Sequence, residues 1–165
     1  MNLGDSAARR LAVAAVVLMM VMALPGTGHA ANAMPYPGTQ VVAAKFGFDA
    51  LRQRLETAIE GNGMFVVTRA SASAGAEGRG IKIAGNIVLG VYRNDFAVRM
   101  LAASVPAGIE APLRFYITEN ADGSATLTWR RPSAVFAPYE SAELDAMATE
   151  LDVIWAAIVK QTLQG

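Results

Sequence analysis

Residues 93–139 read RNDFAVRMLAASVPAGIEAPLRFYITENADGSATLTWRRPSAVFAPY, and this stretch decides the fold. Leu113–Glu119 and Ala125–Arg131 alternate apolar and polar residues on either side of Ala121-Asp122-Gly123. A three-residue loop with glycine at the left-handed position is a common hairpin connection. The spacing predicts Phe115 opposite Trp129, Tyr116 opposite Thr128, Ile117 opposite Leu127 and Thr118 opposite Thr126. A register slipped by one residue would pair Phe115 with Thr128 and mix the faces, so it is rejected. Before the hairpin, Asn94 is expected to cap a helix with Asp95 in its first turn and Phe96, Met100 and Leu101 as its apolar stripe, ended by Pro106 and Gly108. After it, Pro132–Tyr139 should wrap a sheet edge.

Upstream, Asn86–Arg93 is almost continuously apolar, which predicts a central strand. Gly90 inside it marks a bulge or the close approach of another backbone. Ser71–Gly80, SASAGAEGRG, is a loop or a frayed short helix. Its glycines form no phosphate cradle, since no GxGxxG follows a strand and no Lys-Ser/Thr closes the loop. Met64–Ala70 reads as the second strand and Thr39–Phe46 as the first. Between them Phe48, Leu51, Leu55 and Ile59 repeat at helical spacing, with Asp49 in the first turn and Gly61-Asn62-Gly63 as the stop. The last helix runs from about Ser141 to Leu163, with Leu144, Met147, Leu151, Ile154, Trp155 and Ile158 on one side. The fold class is therefore α+β: one mainly antiparallel sheet of about five strands, a helix after the first strand, a short middle helix and a long C-terminal helix packed on it.

The amino terminus has its own logic. Arg9-Arg10 precedes the apolar run Leu11–Leu24, and small residues lead to Ala30, which reads as a secretory signal peptide over residues 1–30. Cleavage falls after Ala30, with a second possible site after Ala33. The run is shorter than the roughly 20 residues a spanning helix needs, so no stable membrane anchor is expected after cleavage. Residues 31–38 form a flexible lead-in and 39–165 a single domain, exported to the periplasm or secreted. Without Arg9, Arg10 and Asp5, the 14 basic and 14 acidic residues become 12 and 13, a balance that suggests no nucleic-acid partner.

Absences exclude more than the charge does. The chain has no cysteine, and its one histidine, His29, leaves with the signal segment. That removes thiolate and imidazole metal sites, Ser-His and Cys-His nucleophiles and thiol redox chemistry. Met64, Met100 and Met147 are scattered along the chain and read as core filler, which argues against a methionine-rich copper site. The acids Glu143, Asp145, Glu150 and Asp152 read as a solvated helix face without calcium-loop spacing. No metal, cofactor or catalytic residue is assigned.

The chain resembles the domain of unknown function 302 family over roughly Tyr36 to the carboxyl end. The resemblance rests on PYPGTQVV, GMFVVTRASASAG, RNDFAVRMLAASVPAGIEAP and TLTWRRPSAVFAPY. It implies a TATA-binding-protein-like α+β fold and carries no assigned activity.

Two functions of different class stay open. The first is an exported binding or interaction module, for a small anionic ligand or for a protein partner or second copy at the sheet face, with Arg114, Tyr116, Arg130, Arg93, Asn94 and Asp95 as candidate binding residues. Its basis is the polar face of the hairpin, on which Arg114 should lie across from Arg130, so that something must neutralise the pair. An intramolecular carboxylate is the plain answer and an anionic ligand the functional one. The alternative is an enzyme using carboxylate, tyrosine and arginine chemistry, with Asp95, Glu119 and Tyr92 as the players.

Overall fold

The hairpin is the middle of the molecule. In the computed structural model, which describes residues 34–164, β4 (Leu113–Glu119) and β5 (Ala125–Arg130) pair with Phe115 opposite Trp129 and Glu119 opposite Ala125, the register that patterning requires. Gly123 adopts φ 81°, and Asn120 N–H donates to Ser124 O at 2.8 Å to close the turn. Around this pair the sheet grows antiparallel in the order β1-β5-β4-β3-β2, with β1 (Thr39–Ala44), β2 (Phe65–Ala70) and β3 (Asn86–Tyr92). The central strand is thus β4 rather than β3. The apolar run of β3 reflects a place one in from the edge, where Ile87, Leu89 and Val91 are buried.

Of the two expectations for Gly90 the bulge is met, while the groups that crowd it are side chains and not another backbone. The β2–β3 register shifts between Val66 and Thr68, a bulge directly across from it, and a side chain at Gly90 would collide with Thr68 Oγ1 and come within 2.8 Å of Pro112 Cγ.

All the long helices cover one face of the sheet. Helix α1 (Phe48–Gly61) buries Leu51, Leu55, Ala58 and Ile59 and packs against the sheet and α5. Helix α5 (Ala142–Leu163) starts where Ser141 Oγ accepts from Leu144 N–H, and it buries Leu144, Met147, Leu151, Trp155 and Ile158. Trp155 stacks on Phe115 of β4, ring centroids 5.5 Å apart and planes 14° off parallel, so the longest helix and the central strand meet ring on ring. Burying aromatic rings of this size supplies much of the apolar gain on folding.

Of the two readings of Ser71–Gly80 the short helix holds: α2 (Ala72–Glu77) forms because Ser71 Oγ accepts from Ala74 N–H and so satisfies a first-turn donor. Three other sequence expectations need correction. Helix α3 (Asn94–Ala103) is not capped by Asn94: Arg93 holds the cap position, and Asn94 Nδ2 instead donates to Tyr92 OH at 3.4 Å. Its buried stripe is Phe96, Ala97 and Met100, with Leu101 turned outward, since a small alanine lets the helix lie close against its neighbours. Pro132–Tyr139 does not wrap an edge. Proline at the first helical position starts α4 (Pro132–Phe136), a 3-10 turn follows, and Phe136 docks against α5.

Candidate functional site

The side of the sheet away from the helices carries no covering element among the described residues. Register puts Thr39, Val41 and Ala43 of β1 beside Arg130, Thr128 and Thr126 of β5, and Tyr116 and Thr118 of β4 beside Val88 and Asn86 of β3. At one corner of this face, where β4 begins and β5 ends, lies an open groove of about 290 Å³. Tyr36, Glu110, Arg114, Tyr116, Thr128 and Arg130 line it. The hairpin pairing ends at Phe115 opposite Trp129, so the next residue along each strand, Arg114 and Arg130, brings a guanidinium to the same corner.

The two arginines are not neutralised in the plain way. The ion pairs among the described residues join Arg52 with Asp49 and Glu56, Arg69 with Glu56, Arg93 with Asp95 and Arg99 with Glu150; neither Arg114 nor Arg130 is in one. Arg130 Nε is buried and has no acceptor among the described residues. Its guanidinium sits 5.3 Å from the centroid of the Tyr36 ring, a cation–π contact that holds the head without satisfying its donors. Tyr36 is positioned by a turn in which Thr39 N–H donates to Tyr36 O at 3.2 Å and Arg131 N–H donates to Gly38 O at 2.9 Å. Glu110 is the one acid of the groove, and it accepts from Tyr139 OH at 3.1 Å. That contact joins burial in pushing the Tyr139 phenol up.

Of the six candidate residues, Arg114, Tyr116 and Arg130 are brought together, and Arg93, Asn94 and Asp95 are not. The latter three sit at the start of α3, outside the groove. There Arg93 grips Asp95 through Nε at 2.7 Å and Nη2 at 3.0 Å and lies 4.3 Å over the Phe96 ring, so its charge already has a partner. The hydrogen bonds from Arg93 hold the Asp95 carboxyl below its ordinary value, against a weaker opposing effect of burial. A general acid or base working near neutrality needs the reverse shift. Glu119 is engaged elsewhere, accepting from Gly85 N–H at 2.7 Å, so Asp95, Glu119 and Tyr92 share no common cleft.

The acids of α5 are not simply a solvated face. Glu150 takes both arms of Arg99 from α3, at 2.7 and 2.8 Å, and Asp152 Oδ1 accepts from Ser133 N–H in the first turn of α4 at 3.0 Å. They tie α5 to its neighbours.

Sequence reasoning missed Tyr36 and Glu110. Tyr36 lies in the short PYPG segment read as lead-in; its signal was the Pro-Gly turn that fixes an aromatic next to the first strand.

Comparison with known proteins agrees with this architecture. The family described as "Domain of unknown function DUF302" matches residues 40–162. The chain belongs to the DUF302 family. Its fold is similar to that in the crystal structure of an uncharacterized conserved DUF302 protein from Bacillus stearothermophilus, with a TM-score of 0.68 at 17% identity. The match covers 76% of this chain and 98% of that one, so the DUF302 fold is shared over nearly the whole of the bacillary protein. No curated protein matches the chain. The family carries no assigned function and neither does the solved member.

Proposed function

We propose that this DUF302 protein is an exported, non-catalytic binding module that takes a small anionic ligand in the corner groove between Arg114 and Arg130. The observation that carries the reading is the buried, acceptorless Arg130 Nε beside a second guanidinium that also lacks a carboxylate. A buried polar group without a partner is costly, and one on a charged group more so, which makes an oxyanion the fitting complement. Two guanidiniums suit planar carboxylate, phosphate or sulfate oxygens, with the Tyr116 hydroxyl as a neutral donor at the same rim. Export is read from the Leu11–Leu24 run and the small residues up to Ala30.

The test is a thermal-melt titration with phosphate, sulfate and acetate against sodium chloride at matched ionic strength, on the wild type and on Arg130→Thr. Sulfate and phosphate stabilise proteins generally by exclusion from their surfaces, so only the difference between the two proteins is informative. A saturable rise in Tm in the wild type, reduced in Arg130→Thr, is expected. Equal shifts in both would leave no anion site.

A second reading has its own support. Val41 and Tyr116 are exposed on the uncovered sheet face, and tyrosine beside arginine is a composition enriched where proteins meet. Size-exclusion chromatography with light scattering discriminates: a strict monomer at high concentration removes a homodimer through this face.

A further inference from the structure

Beneath α3, walled by β3, β4, α4 and α5, is a small apolar cavity whose lining includes Met64, Met100 and Met147 together with Phe96, Phe136 and Trp155. Spacing along the chain argued against a methionine-rich site, but the fold gathers these three side chains from three separate parts of the chain. Met64 precedes β2, Met100 is on α3 and Met147 is on α5. All three are at least 96% buried, whereas Met34, the remaining methionine of the described residues, is 57% exposed. We propose that Met64, Met100 and Met147 form a three-thioether site for a soft monovalent cation, Cu(I), with Ag(I) as its redox-inert equivalent.

The chemistry selects the ion. Thioethers favour Cu(I) among the common biological metals, while calcium and magnesium require oxygen ligands and zinc requires imidazole, thiolate or carboxylate. No carboxylate, imidazole or thiolate side chain lines the cavity. Its volume of about 30 Å³ admits a single dehydrated ion or a water, and an organic ligand would need several times more room. Methionine has three rotatable bonds, so thioethers lining one small cavity can adjust toward a common point.

Burying a bare charge among hydrocarbons is expensive, and three coordinate bonds must offset it. Arg93 at the rim would repel a cation, but the bidentate grip of Asp95, at 2.7 and 3.0 Å, neutralises it. The ion binds as Cu(I) and leaves as Cu(I), and no electron is transferred.

Trp155, 2% exposed and on the cavity wall, is a built-in reporter. The experiment uses the full chain under anaerobic conditions: Cu(I) is titrated in competition with bicinchoninate, and Ag(I) is followed by tryptophan fluorescence. Variants are Met64→Leu, Met100→Leu, Met147→Leu, the triple combination and Met34→Leu as control, with Met1, Met19, Met20 and Met22 present in all. Leucine keeps nearly the same volume and removes the sulfur, so packing is largely preserved.

The wild type and Met34→Leu should each take one equivalent at the site with quenching of Trp155. Each single core variant should bind at least about tenfold more weakly, a loss comparable with removing even an outer-sphere partner of a metal. The triple variant should lose the quench altogether. Three results would overturn the site: no Cu(I) uptake by the wild type, unchanged affinity in a folded triple variant, or single variants indistinguishable from Met34→Leu. The single variants keep the test decisive if the triple one does not fold.

Discussion

Trp155 is the largest side chain of the buried core, and its two truncations should behave very differently. The indole is 2% exposed and stacks on Phe115, but its N–H is buried without an acceptor among the described residues. Trp155→Ala removes the ring and leaves a hole, which costs about 3–5 kcal/mol, the upper end including the lost stacking. Trp155→Phe keeps a ring over Phe115. It gives up roughly 40 Å² of buried surface, about 1 kcal/mol at 25 cal/mol per Å². Against that it removes an unsatisfied buried donor, whose desolvation costs about 1–3 kcal/mol. The net change for phenylalanine should therefore lie within about 1 kcal/mol of zero, since the two terms oppose. Urea unfolding followed by far-UV circular dichroism measures both variants, with m-values compared to confirm an unchanged transition. If Trp155→Phe is as damaging as Trp155→Ala, the N–H has a partner in solution, and the reasoning from an orphan donor is wrong.

Two further outcomes follow from the geometry. Gly90→Ala should destabilise by about 1–3 kcal/mol through collision with Thr68 Oγ1 and Pro112 Cγ, and adding Thr68→Ala should recover part of the loss in the same urea assay; no recovery would mean that Pro112 alone sets the limit. Asp95, held down first by its Arg93 hydrogen bonds, and Glu150, held down first by Arg99, both have folded values below their unfolded ones. Their contribution is fully present above the unfolded carboxylate range near about pH 4 and is lost as pH falls through the lower folded values. Tyr139 is shifted up, so its contribution is present below about pH 10 and lost as pH rises through the folded value. Since His29 is the only histidine and lies in the segment read as signal peptide, the urea midpoint of the chain starting at Ala31 should be flat from about pH 5 to 8 and fall outside it. A steep slope inside that window would contradict this assignment.

The hairpin was legible because two signals agreed. Period-two alternation chose the faces, and Gly123 with its left-handed φ fixed the loop length. The strands and helices around it followed from the same kind of agreement. Where only one signal was present, reading failed. Asn94 has the right chemistry for a cap, but the chain enters α3 one residue earlier, and a single polar residue cannot fix that phase. Pro132 reads equally as a strand breaker and as a helix starter, and only docking on α5 decides between them. Half of the candidate site was legible, because Arg114, Tyr116 and Arg130 share a face by periodicity alone. Arg93 and Asp95 could not be excluded without seeing that they satisfy each other two residues apart. The cavity methionines are invisible for a different reason: their neighbours are distant in sequence, and no local pattern marks a meeting that only the completed fold creates.

The sheet order has a consequence in time. Among the described residues β1 is an edge strand whose partner is β5, and α1, which follows it, packs on α5, so these first elements wait for the last. A chain truncated before β5 can still pair β2, β3 and β4, but β1 then has no partner strand and α1 has no α5 to pack on. Contacts of such long sequence separation must overcome a large loop-closure entropy before they return any stability, which makes folding slow compared with a helical bundle of the same length. The amino-terminal edge of the sheet therefore closes only once the carboxyl-terminal third has arrived.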